Sequence, residues 1–272
     1  MSELPIIHRL QGTAFPVNAY LIESRNGVIL IDSMLTVSDA RLARARIAEL
    51  GKPVLGAVVT HAHPDHYGAL AKIVGSERPP VVAMAGVDRA IRRDDADKER
   101  ILRPMFGDEW PRERLFPNRV VANGESVTFD EVTLTPVDLG PGESPHDSLW
   151  TLQGSDVAFV GDVVYNHMHA YLADGFYERW LENLERVRSM FGPGAVFYPG
   201  HGDRASPALL DWQAEYIRTF LEAVRSAGPS ATDEARVDAV SARMKAFAGT
   251  DDLLFLMQLS VPAVHGHMRS GR

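Results

Sequence analysis

The stretch that decides the fold reads Val58-Val59-Thr60-His61-Ala62-His63-Pro64-Asp65-His66-Tyr67-Gly68. An apolar run of strand type ends at Thr60. His61 and His63, two positions apart, leave the strand end on the same side. Pro64 forces a turn, and Asp65 is placed to cap a following helix, with His66 projecting from its first turn. Four coordinating side chains thus converge from one tight loop. That is enough to begin two adjacent metal sites and too few to complete them. A capping Asp among surface histidines is the plain alternative, and the density of coordinating residue types argues against it.

The missing ligands are expected in other loops that follow apolar strands. Three candidates have this form: 157–160 runs into Gly161-Asp162, 195–198 into Pro199-Gly200-His201-Gly202, and 132–139 into Gly140-Pro141-Gly142-Glu143-Ser144-Pro145-His146-Asp147. Glycine beside each candidate lets the backbone turn. Alone, each is a weak signal; together, ligands from the same edge of several strands form one site.

Composition narrows the chemistry. The chain has 272 residues, no Cys and 10 His. Disulfides, thiolate zinc knuckles, iron–sulfur clusters and thiol nucleophiles are therefore excluded. Any metal is held by His and carboxylates, which suits Zn, Mn or Fe in a catalytic type of site. A net charge of −8 and the absence of a Lys/Arg block argue against a nucleic-acid partner. No apolar run is long enough for a bilayer span, and Met1-Ser2-Glu3-Leu4-Pro5 has no basic-then-apolar leader. A cytoplasmic protein without membrane contact, acting on a small molecule, is the expectation.

Outward from the motif, 17–23 and 28–31 read as a hairpin turning at 25–27, and 38–50 as a helix with Ser38 as cap and Gly51 as stop. Residues 56–60 and 81–84 are strands around a helix at 69–74. Residues 88–103 form a highly charged, solvated helical insertion. Strands follow at 119–122, 126–129, 132–137, 149–152 and 157–160, then a helix at 176–190 and a strand at 195–198. Helices at 208–227 and 232–248 and an apolar stretch at 253–259 close the chain, with Ser230 and Asp233 resembling a capping box. Two blocks of strands with helices predict two sheets covered by helices. Residues 1–205 are expected to form the catalytic domain and 206–272 a helical extension packed on it.

The order HxHxDH, ligand loop, strand-Gly-Asp and Pro-Gly-His-Gly resembles the metallo-β-lactamase superfamily over about residues 5–205. Asp32, ending the strand Ile29-Leu30-Ile31, matches that family's support for the metal loop. The resemblance implies an α/β, four-layer αββα sandwich and a metal-dependent hydrolase with a dinuclear site, two divalent ions that are Zn foremost, with Mn or Fe as alternatives. It implies that His61, His63 and the third-loop ligand hold one metal. Asp65, His66 and His201 hold the other, and Asp162 bridges them together with a hydroxide. Either Asp65 or a metal-bound water would protonate the leaving group. The third-loop position is usually His. Here either Glu143 takes it, as in the alkylsulfatase-like branch, or His146 does through a local shift; Glu143 keeps the usual spacing without a gap. Asp162 matches the glyoxalase II, lactonase and phosphodiesterase type, and zero Cys separates the chain from lactamases with a Cys ligand. A small or mid-sized ester, lactone or thioester is the implied substrate. The alternative on the same fold is a mononuclear-iron persulfide dioxygenase, which uses fewer ligands of the second metal.

Further expectations concern the substrate mouth. The C-terminal helices and the 88–116 insertion are expected to form the pocket; His167, His169 and Tyr67 are candidates to border its mouth, and Met105, Phe106, Trp110 and Phe116 with Arg103, Arg112 and Arg114 to line it. His8 is read as structural, His265 and His267 as part of a disordered tail, Trp180 and Trp212 as core, and 253–257 as core or a homodimer contact.

Overall fold

The computed structural model describes residues 4–228 and 231–270. In chain order the elements are β1 (Ile7–Gln11), β2 (Asn18–Glu23), β3 (Val28–Ile31), α1 (Val37–Leu50), β4 (Val54–Val59), α2 (Pro64–Tyr67), α3 (Leu70–Val74), β5 (Val81–Met84) and α4 (Ala85–Phe106). There follow β6 (Arg119–Val121), β7 (Val127–Phe129), β8 (Val132–Gly140), β9 (Asp147–Leu152), β10 (Val157–Tyr165), α5 (Tyr177–Met190) and β11 (Val196–His201). Then come α6 (Leu209–Ser226), α7 (Asp233–Ala248) and α8 (Leu254–Ser270).

The strands form two mixed sheets. One runs β1-β2-β3-β4-β5-β6 in sequence order, antiparallel up to β3 and parallel from there. The other runs β11-β10-β9-β8-β7, with β10 and β11 parallel. β3, β4 and β10 are buried along their length apart from the half-buried Leu55, as strands covered on both faces must be. Tyr20 on β2 meets Phe159 on β10 and Tyr198 on β11 at ring separations of 5.6 and 5.2 Å, so the sheets pack face to face through aromatic contacts. Helices cover the outer faces, and the αββα order stands as expected.

The sheets also join at the end of β4. Ser148 at the start of β9 donates to the Thr60 carbonyl from both its backbone N (3.0 Å) and its hydroxyl (2.6 Å). Residues on the second sheet's edge are thereby fixed against the histidine loop.

Several boundaries differ from the sequence reading, each for a local reason. α1 is capped by Thr36, not Ser38: its side chain accepts from the Asp39 N–H, while Ser38 is engaged by Glu109. α2 is capped at His63, so Asp65 lies inside the first turn and not at the cap; Pro64 occupies the first helical position, where its missing N–H costs nothing. β10 does not stop at Val160 but continues to Tyr165, absorbing Gly161 as an irregularity in its pairing with β11. α8 is an ordered helix through Ser270, so His265 and His267 are not in a disordered tail. Ser230 lies outside the described residues; the observed cap of α7 is Thr232, which accepts from Ala235 N. No helix among the described residues is long and apolar enough to cross a membrane.

Candidate metal centre

Every predicted ligand except His146 arrives at one point between the sheet edges. His61, His63, Glu143 and Asp162 form one group that could hold a metal ion, and Asp65, His66, Asp162 and His201 form a second; the ligand atoms of each lie within 4.8 Å of one another. Asp162 belongs to both, and all seven residues are buried.

Each imidazole is oriented by a partner on its outer nitrogen. Thr60 donates its hydroxyl to Asp32 at 2.8 Å, which leaves its oxygen to accept from His61 Nδ1 at 3.0 Å. His66 Nδ1 donates to Asp32 at 2.9 Å, and His201 Nδ1 donates to the Pro16 carbonyl at 2.6 Å. His63 is reversed: its Nε2 meets Asp174 at 3.0 Å and its Nδ1 faces Glu143 at 3.0 Å. Partners of this kind fix the tautomer and hold the other nitrogen's lone pair toward the centre. Asp32 performs this service from a left-handed backbone conformation (φ 59°), with the Thr60 N–H as a further donor at 2.8 Å.

Two glycines admit the carboxylates. Gly161 has φ 51°, and a Cβ there would stand 2.6 Å from Thr60 Oγ1. A Cβ at Gly200 would strike the Asp162 carboxylate. The His201 loop is itself tied to the other sheet: Asn18 donates to the Pro199 and Gly202 carbonyls at 3.0 and 2.6 Å, and the Tyr20 hydroxyl to Pro199 at 2.6 Å.

The inner atoms are left without hydrogen-bond partners. His61 Nε2, His66 Nε2, His201 Nε2, Glu143 Oε2 and Asp162 Oδ1 are buried and make no hydrogen bond, although they face one another across the cluster. Unsatisfied buried polar atoms are costly and uncommon, and five at one point call for a cation. A hard, oxygen- and imidazole-only donor set suits a divalent first-row metal.

The charge balance agrees. Burial opposes charge on His63, His66 and His201. The carboxylates of Glu143 and Asp174, of Asp162, Asp65 and Asp32, and of Asp162 and Asp65, respectively, outweigh it and raise all three, His201 to about 10. Burial pushes Glu143 up to about 7 against the pull of His63, whereas Asp162 is held low by His201, His66 and His61 despite its burial. His61, buried beside His66, is lowered. The carboxylates thus favour the protonated form of three of the four imidazoles in the metal-free cluster, protons that an entering cation would displace.

The two third-loop candidates lie apart in space. Glu143 points inward, held by Tyr165, whose hydroxyl donates to Oε1 at 2.9 Å, and by Asp147, which accepts from the Glu143 N–H at 2.7 Å. His146 points away: its Nε2 lies 2.9 Å from Asp138 and its ring packs on Gly86. The β8–β9 turn closes through Ser144 and Asp147, so a shift that would bring His146 inward would break those bonds.

Three other candidates sit elsewhere. Tyr67 reaches α4, donating to Asp95 at 3.0 Å, and does not line the cavity. His169 is buried between the Tyr216 hydroxyl and the Thr250 carbonyl, both at 3.0 Å, and ties the 166–176 loop to the C-terminal helices. His167 is exposed and rests against Trp212. Of the expected mouth residues, Met105 and Phe106 line the cavity. Trp110 packs beneath Arg114, Phe116 packs on Tyr67, and Arg103 and Arg112 lie in a separate surface groove. Trp180 is core, with its indole N–H on the Val163 carbonyl, and Trp212 is partly buried. His8 pairs with Glu23.

The sequence reading missed Asp174, Tyr165, Lys98 and Tyr171. A carboxylate 111 positions from its histidine carries no spacing signal, so Asp174 is recognisable only in three dimensions.

The comparisons with known proteins agree with this geometry. Residues 12–201 match the family model described as the metallo-beta-lactamase superfamily. Over 122 residues the chain is 33% identical to protein YobT of Bacillus subtilis (strain 168), a match covering 42% of this chain and 49% of that one. Over 73 residues it is 32% identical to an (R)-specific secondary-alkylsulfatase of Pseudomonas sp., covering 26% of this chain and 11% of the relative. The matched region thus spans half or less of either relative. A metallo-beta-lactamase family protein from Thermus thermophilus superposes with a TM-score of 0.70 at 21% identity, covering 97% of this chain and 94% of the other, a likeness of fold. With the family model matched from before β2 to the last ligand loop, the chain belongs to the metallo-β-lactamase superfamily.

Proposed function

We propose that the chain is a hydrolase dependent on two divalent cations, Zn foremost, acting on a small or mid-sized organic ester, lactone or thioester. The observation that carries this reading is the set of five buried atoms without hydrogen bonds, gathered in two overlapping groups of ligand type. His61, His63 and Glu143 would hold one ion, Asp65, His66 and His201 the other, and Asp162 both. When bound, such a pair of ions makes water acidic enough to attack near neutral pH and polarises the scissile group. The full second group favours this reading over a mononuclear-iron dioxygenase.

The chain's own residues supply the rest. Asp65 borders the cavity and has a second carboxylate oxygen beyond the one it would offer to the metal. There it accepts the proton of the attacking water and returns it to the leaving group. Tyr165 keeps Glu143 directed inward, and Asp174 does the same for His63. Phe15, Leu35 and Phe106 keep bulk water from the reacting face.

The test is a panel of p-nitrophenyl esters, lactones, thioesters and sulfate esters, the last included because one relative bears the name alkylsulfatase. Turnover of at least one class is expected in protein loaded with Zn or Mn. A loss of more than about 100-fold after chelation, reversed by re-addition of metal, is expected with it. Turnover indifferent to chelation would overturn the reading.

A further inference from the structure

The cavity over the cluster, about 300 Å³, has two unlike ends. One end is His63, Asp65, Asp162 and Tyr165. The other is a cleft between α4 and α8 with an apolar lining. Phe15 joins the two: its ring lies 6.0 Å from His201, 6.4 Å from Phe106 on α4 and 5.9 Å from Phe255 on α8. It is placed rigidly, since the Asp39 carboxylate accepts the backbone N–H groups of Thr13, Ala14 and Phe15.

The apolar end continues to solvent. Ile101 and Met105 on α4 and Phe255 and Leu259 on α8 are 57, 56, 39 and 48% exposed, and all four line the cavity. Apolar side chains so exposed are ordinary when scattered, but four gathered at the mouth of one cleft mark a binding surface. Lys98 is the one cationic side chain in this lining, 5.9 Å from the Tyr171 ring.

We propose that this cleft binds the unbranched apolar chain of the substrate, so that the enzyme prefers esters of medium-chain acids or alcohols, with Ile101 and Leu259 as specificity-determining residues. The proposal rests on the hydrolase reading above for the chemistry at the polar end. At interior packing density, about 0.75, a cavity of this volume holds on the order of ten to twelve non-hydrogen atoms. That is an ester group and about six to eight carbons. Continuity with the cluster, through Phe15, commits the cleft to substrate over a second copy of the chain.

The test measures binding separately from turnover. Straight-chain carboxylates from butanoate to decanoate are titrated into metal-loaded and into stripped protein by calorimetry. Affinity is expected to rise about fourfold per methylene, about 250-fold from butanoate to octanoate, and then to level off as the chain reaches the exposed rim. Leu259→Asp and Ile101→Asp, both at exposed positions, are expected to abolish most of that slope. An affinity independent of chain length, or a slope unchanged in both variants, would overturn the proposal. So would a change in their oligomeric state with the slope intact, which would assign the rim to a second copy. A slope present without turnover of any ester would uphold the cleft and sink the hydrolase reading; turnover without a slope would do the reverse.

Discussion

Asp162→Ala is expected to lower kcat/KM by more than about 10³-fold while leaving the far-UV circular dichroism unchanged. Asp162 is the one side chain common to both ligand groups, with Oδ1 3.3 Å from His66 Nε2 and Oδ2 3.2 Å from His201 Nε2. Loss of a partner outside the ligand set already costs about 10–100-fold in metal affinity or activity. Removal of a carboxylate shared by two ions should cost more, because both lose a ligand and the imidazoles lose their principal counter-charge. The fold should persist: β10 is held by backbone pairing to β9 and β11, and its apolar neighbours Val160, Val163 and Val164 remain buried. Retained turnover would remove Asp162 from the centre, and a lost dichroism signal would make its role structural.

The second large effect separates Glu143 from His146. Glu143→Ala is expected to reduce kcat by more than about 100-fold and to lower the bound metal, whereas His146→Ala stays within about threefold of wild type. The reasoning is geometric. Glu143 Oε2 is buried and faces His63 Nδ1 at 3.0 Å, while the His146 ring lies on Gly86 beside Asp138. A carboxylate at a position usually held by imidazole adds negative charge. It should weaken the Lewis acidity of the nearer ion and widen tolerance for Mn or Fe. Glu143→His is accordingly expected to shift metal preference toward Zn. Equal metal content in wild type and Glu143→Ala, measured by plasma emission spectrometry, would remove Glu143 from the ligand set.

Much of the centre could be read from local sequence because most of its ligands lie at or just past a strand end, and Asp162 follows the irregularity at Gly161 inside β10. His61 through His66 need only a strand, a proline turn and one helical turn to converge. Gly161-Asp162 and Gly200-His201 could be recognised because glycine is required where a Cβ would meet Thr60 or Asp162. The choice between Glu143 and His146 could not be made from spacing; it depends on the bonds of Ser144 and Asp147 that set the turn. His169 and Tyr67 were misplaced for a related reason. Each lies close in sequence to a ligand but spends its polar atoms on distant elements, Tyr216 and Thr250 for one and Asp95 for the other. The apolar stretch at 253–259 carried a helical pattern, yet nothing in it showed that Phe255 and Leu259 would face α4 across the cavity. The expectation that 88–116 and the C-terminal helices shape the pocket holds for the far end of α4, from Lys98 to Phe106, and for Phe255, Leu256 and Leu259 on α8, while Trp110 and Phe116 pack elsewhere.

The central claim is that these seven buried side chains hold two divalent ions. Calorimetric titration of stripped protein with Zn²⁺ at pH 7, in two buffers of different ionisation enthalpy, tests it most directly. The surrounding carboxylates raise the pKa of His63, His66 and His201 in the metal-free cluster, so metal entry should displace protons and affinity should climb as pH rises. The expected result is saturation at two ions per chain, with release of roughly two to three protons. Saturation at one ion per chain, or no saturable binding, would contradict it.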